Sequence, residues 1–289
     1  MKVSVAVVTY NRGQIISRCL DSLEDQIIKP YEVIVVDSSE DDDTEKIVRR
    51  KGFVYQHSEK RIYQPQARNI VLEKAKGDIV AFVDDDVICT PQWLENVIYG
   101  FSFENVVGVG GPVIRCDESL RVLEKAKMSD KNQNFFTCYG DFHFVPAWIS
   151  PKPVKTKLMM GCNMSFLKEK LREVKGFDEF YGRDASYREE TDPQIALIKK
   201  GYDFMYMPKA IVYHLQHRTG GIRSNNRKNY YYWCAKNHKY LVDKYFPKWL
   251  SRLSWIFWSY DPPCLWVCIL SALIHRNVNI LKWVEGLWT

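Results

Sequence analysis

Three consecutive aspartates, Asp84, Asp85 and Asp86, are the residues in this sequence best suited to chemistry. They directly follow an apolar run at residues 79–83. Neighbouring carboxylates repel one another, and a hard divalent cation such as Mg²⁺ relieves that repulsion through oxygen ligands. Along an extended chain alternate side chains share a side, so we expect Asp84 and Asp86 to face the same way. The cluster predicts a site for a metal ion and phosphate groups, and a solvated acidic loop is the alternative.

A second acidic group contains Glu189, Glu190 and Asp192. Mutual repulsion raises the pKa of crowded carboxyl groups, which favours proton acceptance near neutral pH. This group is therefore a candidate general base, and the alternative is a set of solvated acids in the first turn of a helix. A further carboxylate, Asp37, ends the apolar run at residues 33–36 and could bind a nucleobase or ribose. The alternative for Asp37 is a helix-capping role.

Basic residues follow His214, which ends a β-branched run. Among them are His217, Arg218 and Arg223, on either side of a glycine pair. A basic loop with a glycine hinge can close over a diphosphate and neutralise the charge of a leaving group. The alternatives are a structural histidine and an ordinary solvated loop.

The elements that must position these side chains alternate over the first 115 residues. Short, nearly continuous apolar runs favour strands buried on both faces, and amphipathic segments favour helices between them. We expect strands at 3–9, 32–37, 53–57, 78–83 and 159–166, and helices at 15–23, 66–76, 168–174 and 189–200, with Gly77 closing the second helix and Pro91 opening another. Repeated strand–helix units predict an α/β fold with a mostly parallel, doubly wound sheet. Thr9, Asp37 and Asp84 then lie at carboxyl ends of strands, where such sheets bind ligands.

Composition excludes several classes of protein. The 289 residues carry a net charge of +6, and the basic residues are scattered along the chain, so binding of nucleic acid is not favoured. The eight cysteines form neither a CxxC pair nor a zinc-finger pattern, which predicts reduced, packed thiols. A glycine fingerprint for dinucleotides and a Walker A motif are both missing. The N-terminus lacks the features of a signal peptide, so we expect a cytoplasmic location.

The C-terminal segment differs in composition from the rest of the chain. Seven of the nine tryptophans lie at Trp233 or beyond. Its uninterrupted apolar part, residues 264–274, is shorter than the roughly 20 residues that span a bilayer. Basic residues precede it, which predicts a helical tail lying on the inner face of a membrane. Packing on its own domain or on a second copy is the alternative, and we place the domain boundary between residues 225 and 226.

Taken in order, several segments resemble the motifs of family 2 glycosyltransferases of the GT-A fold. The resemblance extends over about residues 2 to 240 and rests on segments 3–12, 33–37, 66–69, 77–86, 161–166, 176–179, 188–192 and 206–214. It implies an inverting transfer of a sugar from a UDP- or GDP-sugar to a lipid-linked or growing glycan acceptor, assisted by Mg²⁺ or Mn²⁺. A homo-oligomer is compatible with this resemblance. A non-catalytic nucleotide-sugar binder and a sugar nucleotidyltransferase are the alternatives.

The same resemblance implies a role for each matching residue. For the nucleotide these are Thr9, Tyr10 and Arg12 in the pocket, Asp37 at the base, Arg68 near the diphosphate or ribose, Asp84 at the ribose, and Asp85 as a further nucleotide-binding residue. Asp86 matches the main metal ligand, and His214 matches a later metal or diphosphate contact. Glu190 matches the general base. The pair Glu189-Glu190 stands where the family commonly has Glu-Asp, so Glu189 or Asp192 could be the base instead.

Overall fold

The computed structural model of the protein describes residues 1–136, 142–145, 147–183, 185–215, 227–247 and 249. The strands in this part are β1 Val3–Thr9, β2 Glu32–Asp37, β3 Val54–His57, β4 Ile79–Asp84, β5 Val87–Cys89, β6 Val106–Gly110, β7 Val113–Cys116, β8 Lys127–Met128, β9 Phe135–Phe136, β10 Phe142–His143, β11 Trp148–Ile149, β12 Val154–Thr156, β13 Asn163–Leu167, β14 Asp203–Tyr206 and β15 Val212–Leu215. The α-helices are α1 Gly13–Glu24, α2 Asp43–Arg50, α3 Gln64–Lys74, α4 Trp93–Gly100, α5 Lys168–Glu173, α6 Thr191–Lys199 and α7 Arg227–Tyr245. A 3-10 turn occupies Glu179–Tyr181.

The main sheet has eight strands and confirms the predicted α/β class. Their order is β12-β14-β6-β13-β4-β1-β2-β3. The half that contains β4, β1, β2 and β3 is parallel, while β13 runs antiparallel between β4 and β6. A smaller sheet places β15 between β5 and β7. The N-terminal strand–helix units therefore form the parallel half, as their alternation predicts.

The register of β1 brings the polar strand ends together. Thr9 pairs with Asp37 of β2, and Val8 pairs with Asp84 of β4. Since all three strands are parallel, their carboxyl ends lie at one edge of the sheet. The structure thus confirms the shared edge that the sequence predicts.

The apolar run of β1 is buried on both faces because its side chains alternate between two hydrophobic clusters. Val5 and Val7 pack in one cluster with Ile16 of α1. Ala6 packs in the other with Val71 of α3. This arrangement explains why the first strand has no polar face.

Gly77 does not close α3 as predicted. The helix ends at Lys74, and Ala75 is its C-terminal cap. A Cβ atom at position 77 would lie 2.6 Å from the backbone nitrogen of Ser4. The amide of Gly77 also donates to the Ser4 hydroxyl at 2.9 Å. The glycine therefore permits a close approach between the chain before β4 and the start of β1.

Of the predicted elements that begin later than expected, two affect the site. The strand predicted from residue 159 begins at Asn163, whose amide donates to the Met160 carbonyl in a preceding turn. The helix predicted from residue 189 begins at Thr191. Before it, Arg188 has φ of 74°, a left-handed conformation that a helix excludes. Gly161, Glu189 and Glu190 therefore lie on turns rather than within regular elements.

Helix α7 packs on the α/β domain. Its Leu241 and Val242 share a hydrophobic cluster with Leu158 and Ile195. Helix α7 therefore begins just after the boundary proposed at residue 225, and its apolar side chains pack in a hydrophobic cluster with residues of the preceding domain. Among the described residues no helix has the length and apolar character needed to cross a bilayer. The tryptophan-rich tail beyond residue 249 lies outside the described residues.

Candidate active site

A cleft at the carboxyl edge of the parallel strands contains two adjoining cavities. The first is lined by Val8, Thr9, Tyr10, Arg12, Arg61, Ile62, Tyr63, Gln64, Asp84, Asp85, Asp86 and His214. The second is lined by Gln64, Arg68, Asp84, Val113, Arg115, Met160, Gly161, Cys162, Ser186, Tyr187, Glu189, Glu190, His214 and Tyr230. Gln64, Asp84 and His214 line both cavities, so the two acidic groups of the sequence meet across one cleft.

Asp84, Asp86 and His214 form a cluster that could hold a metal ion. One ligand atom from each residue lies within 4.8 Å of the others. Asp84 ends β4, Asp86 follows in the turn to β5, and His214 comes from β15 beside β5. Two carboxylates and one imidazole suit a divalent cation such as Mn²⁺ or Mg²⁺. The carboxylates of Asp84 and Asp86 thus approach one another, although Asp85 and Asp86 form a turn rather than the extended strand that the sequence predicts.

Charge pairing within the cluster sets the protonation of its members. His214 Nε2 lies 3.1 Å from Asp86 Oδ1. Burial lowers the pKa of His214, but the hydrogen bond to Asp86 and the charges of Asp86 and Asp84 outweigh burial and raise it. Burial raises the pKa of Asp86, yet His214 and Arg12 outweigh it and lower the pKa. The pair therefore raises the pKa of the imidazole above its ordinary value and lowers that of the Asp86 carboxyl below its own.

Asp85 is almost fully buried at the wall of the first cavity, where Thr9 and Arg12 bind its carboxylate. Its carboxylate accepts hydrogen bonds from Thr9 Oγ1 and Arg12 Nη1, each at 2.7 Å. Burial, opposed by Arg12, raises the pKa of Asp85 to about 6. Arg12 also contacts Asp86 at 3.0 Å. Asp85 therefore holds Thr9 and Arg12 at the wall of the first cavity, and its predicted contact with a nucleotide stays a prediction.

Arg61 lines the first cavity, although it was not among the residues predicted for the site. Its guanidinium carbon lies 4.6 Å from the ring centre of Tyr10 and 5.2 Å from that of Tyr63. Such distances permit cation–π attraction. Arg61 lies between β3 and α3, where no motif marks it, so only the fold brings it beside Tyr10.

Asp37 has partners within the chain. One carboxylate oxygen accepts from the backbone and hydroxyl of Ser39, at 2.8 and 2.5 Å. The other accepts from the Tyr55 hydroxyl at 3.0 Å. The residue is fully buried and does not line either cavity described above. Its expected recognition of a base stays a prediction.

Arg68 connects the two acidic groups of the cleft. Its guanidinium donates to Glu189 Oε1 and lies 3.6 Å from Asp84 Oδ1. It also donates to the Gly161 carbonyl at 3.2 Å. The side chain is 3% exposed and rests against the rings of Phe82 and Phe177. Arg68 is thus held by Glu189, Gly161 and Asp84. Its expected contact with diphosphate or ribose stays a prediction.

The three candidate bases differ in their surroundings. Glu189 is 2% exposed and paired with Arg68; burial raises the pKa of its carboxyl, and the charge of Arg68 opposes that rise. Glu190 is half-buried and lines the second cavity. Burial raises the pKa of Glu190, and the charge of Arg68 opposes this rise. Both glutamates line the second cavity, and Glu190 is the more exposed of the two.

Asp192, which the sequence analysis names as an alternative base, does not reach the cleft. Its carboxylate accepts from the hydroxyls of Tyr181 and Tyr245, each at 2.8 Å, and from Lys244 at 2.9 Å. None of these partners lines the two cavities. Asp192 follows Glu190 by two residues in the first turn of α6, and that turn directs it toward α7. The three residues predicted for a diphosphate loop, His217, Arg218 and Arg223, lie outside the described residues.

Comparison with known proteins identifies the family of the chain. The model of Glycosyl transferase family 2 matches residues 4–173. The glycosyltransferase AglE of Haloferax volcanii is 38% identical over 120 residues, which are 38% of this chain and 39% of that protein. The GalNAc(5)-diNAcBac-PP-undecaprenol beta-1,3-glucosyltransferase of Campylobacter jejuni is 28% identical over 201 residues, 64% of this chain and 58% of that protein. The matched region is thus less than two thirds of the length of either relative.

Solved structures share the fold. GalNAc-T7 with UDP, GalNAc and Mn²⁺ superposes with a TM-score of 0.65 at 17% identity, covering 88% of this chain and 54% of that one. The mannosyltransferase PcManGT of Pyrobaculum calidifontis with GDP-Man and Mn²⁺ gives a TM-score of 0.59 at 17% identity, covering 99% and 87%. Because the family model spans more than half of the sequence and these folds agree with it, the chain belongs to glycosyl transferase family 2.

Proposed function

We propose that the protein is an inverting glycosyltransferase that moves a sugar from a UDP- or GDP-sugar to a lipid-linked or growing glycan acceptor. The observation that carries this proposal is the meeting of two chemical groups in one cleft. Asp84 and His214 line both the cavity that contains Tyr10 and Arg12 and the cavity that contains Glu190. A leaving group and a base can therefore act on one sugar from different sides.

The donor side supports a nucleotide diphosphate. Asp84, Asp86 and His214 would hold a divalent ion, which when bound neutralises the negative charge of the diphosphate. Of the solved structures that share the fold, one contains UDP, GalNAc and Mn²⁺ and another contains GDP-Man and Mn²⁺. Tyr10 and Arg61 supply an aromatic face and a positive charge at the same cavity, which suit a nucleoside and a phosphate.

The acceptor side supports a single displacement. Glu190 would take the proton from an acceptor hydroxyl while that oxygen bonds to the anomeric carbon of the donor sugar. The bond from that carbon to the diphosphate oxygen breaks in the same step, and the nucleoside diphosphate leaves with the electron pair. Attack opposite the leaving group inverts the configuration. A base with a raised pKa is suited to this role near neutral pH.

The class of acceptor rests on a relative and on the sequence of the tail. The Campylobacter enzyme is named for an undecaprenol-linked glycan. Tryptophans and basic residues follow Trp233, and such a segment suits the interface of a membrane. We therefore propose a peripheral protein on the inner face of a membrane, with self-association of the chain as a further proposal.

Donor turnover tests the proposed function. The protein is incubated with a panel of UDP- and GDP-sugars and Mn²⁺ or Mg²⁺, with and without an undecaprenyl-diphosphate glycan, and free nucleoside diphosphate is measured. We expect release with one donor and a strong increase on addition of an acceptor. Asp86→Asn should abolish release, while Asp42→Asn, at an exposed acid outside the cleft, should not alter it. Tight nucleotide binding without release from any donor would instead indicate a non-catalytic binder.

A further inference from the structure

Helix α7 contacts both ends of the turn that carries Glu190. This turn, residues 185–192, is here called the base turn. At its start, the buried amide of Asn237 donates to the carbonyls of Ala185 and Tyr187, at 2.8 and 3.2 Å. These bonds fix the backbone on either side of Ser186. Ser186 and Tyr187 both line the second cavity.

At the end of the base turn, Asp192 is held by the last residues of α7. Lys244 donates to both carboxylate oxygens, at 2.9 and 3.1 Å, and the Tyr245 hydroxyl donates to one of them at 2.8 Å. Lys244 also contacts Asp178 at 2.8 Å, so one ammonium group joins two turns of the domain. Charge-assisted bonds to an almost fully buried carboxylate are stronger than bonds between neutral groups.

Between these anchors the base turn has a conformation that needs support. Arg188 has φ of 74°, which is costly for a residue with a side chain. Its guanidinium carbon lies 4.3 Å from the ring centre of Phe142 and 4.5 Å from that of Tyr187. Its carbonyl accepts the amides of Thr191 and Asp192, at 3.1 and 3.2 Å, which starts α6 directly after Glu190. A strained turn persists only where the surrounding structure holds it, and the bonds of α7 lie at its two ends.

We infer that α7 acts as a splint for the base turn and that Asn237, Asp192 and Lys244 are positioning residues for Glu190, an inference that rests on the proposed function. None of the three lines the cleft cavities, so they act through the backbone of residues 185–192. A displacement of about 1 Å in a catalytic group can lower a rate by about 100-fold. Loss of a bond from α7 should therefore lower the rate of transfer without changing the donor site.

Lys244→Met tests this inference, with Lys239→Met as the matched control. Both lysines are on α7, but Lys239 pairs with Asp243 of its own helix at 3.6 Å. We expect Lys244→Met to lower kcat for transfer by about 10- to 100-fold while KM for the donor sugar changes less than about twofold. Backbone amides of residues 185–192 should exchange hydrogen faster, and those of β1 and β4 should not. Lys244→Arg, which keeps the charge and the donors, should restore part of kcat, and Lys239→Met should resemble the unchanged protein.

Each outcome decides one of the two proposals. Unchanged hydrogen exchange at residues 185–192 in Lys244→Met would overturn the splint, whatever the activity. Faster exchange with unchanged kcat would also overturn it, because the turn would then not govern the base. If the unchanged protein transfers no sugar while Lys244→Met still loosens the turn, the structural splint stands and the proposed function fails. Asp192→Asn keeps the size of the side chain and should repeat the result of Lys244→Met if the chain folds.

Discussion

Arg68 and Glu189 form a buried ion pair although 121 positions separate them in the sequence. The same guanidinium lies 3.6 Å from Asp84, so Arg68 joins the predicted metal cluster to the turn of the predicted base. Helix α3 supplies Arg68, β4 supplies Asp84, and the turn before α6 supplies Glu189. The two acidic groups of the cleft are therefore held by one shared cation between them.

Removal of Arg68 should destabilise the fold strongly. Arg68→Met would leave Glu189 charged or protonated without its partner, at a cost of about 3–5 kcal/mol in the free energy of unfolding. Glu189→Gln in the same chain should recover part of that loss, because the unpaired charge is removed. Urea denaturation of the two single variants and the double variant measures the coupling. Strict additivity of the two changes would contradict the ion pair.

Replacement of Glu190 should separate binding from transfer. Glu190→Gln keeps the shape of the side chain but cannot accept the proton, so kcat should fall by about 10²- to 10⁴-fold. Nucleotide binding, measured by calorimetry, should stay within about twofold, because Glu190 lines the second cavity and not the first. Glu169→Gln, at a highly exposed acid, is the control. Normal turnover by Glu190→Gln would assign the base elsewhere, with Glu189 as the next candidate.

The rate of transfer should depend on the ionisation of Glu190. Burial raises the pKa of this carboxyl above its ordinary value, and only the ionised form accepts a proton. The rate should therefore be low below the pKa, rise with pH through it, and level off above it. A profile of kcat against pH should place this acidic limb above the ordinary glutamate pKa of about 4.3. A rate that stays constant down to that value would contradict a buried base.

Metal binding should weaken as pH falls. The pKa of His214 is raised by its bond to Asp86 despite burial, so protons compete for the imidazole nitrogen. Affinity for Mn²⁺ should be highest above the pKa of His214 and should fall as pH decreases through it. Titration calorimetry with Mn²⁺ at several pH values measures this change, and His214→Gln should flatten the dependence. An affinity independent of pH would show that His214 is not a ligand.

Removal of the tail should abolish binding to membranes. A chain that ends at residue 250 retains α7 but lacks the aromatic segment that follows. Flotation with liposomes that contain anionic lipid should recover the full chain in the lipid fraction and leave the shortened chain behind. Circular dichroism checks that the shortened chain is folded. Equal flotation of both would place any membrane contact within the first 250 residues.

The sequence alone was sufficient for the parallel half of the sheet. Apolar β-branched runs such as residues 3–8 favour strands buried on both faces, and the structure has a buried strand at these residues. The positions of Thr9 and Asp84 at one edge then follow from the rule that parallel strands share a direction. Boundaries were predicted less well where backbone strain decides them, as at Arg188, whose left-handed conformation delays the start of α6.

Distinguishing the roles of similar carboxylates required the tertiary structure. Glu189, Glu190 and Asp192 are equivalent in charge and lie within four positions, so no local pattern separates them. In the fold, Glu189 meets Arg68, Glu190 opens to the cleft, and Asp192 meets Lys244, because each faces a different element. Arg61 likewise gains a place in the cleft only through its contact with Tyr10. The sequence by itself determined that Thr9, Asp37 and Asp84 lie at carboxyl ends of strands, since the apolar runs that precede them are local features. The long-range packing of α3 and α7 decided that Glu189 pairs with Arg68 and Asp192 with Lys244, since burial and charge pairing arise only between segments far apart in the chain.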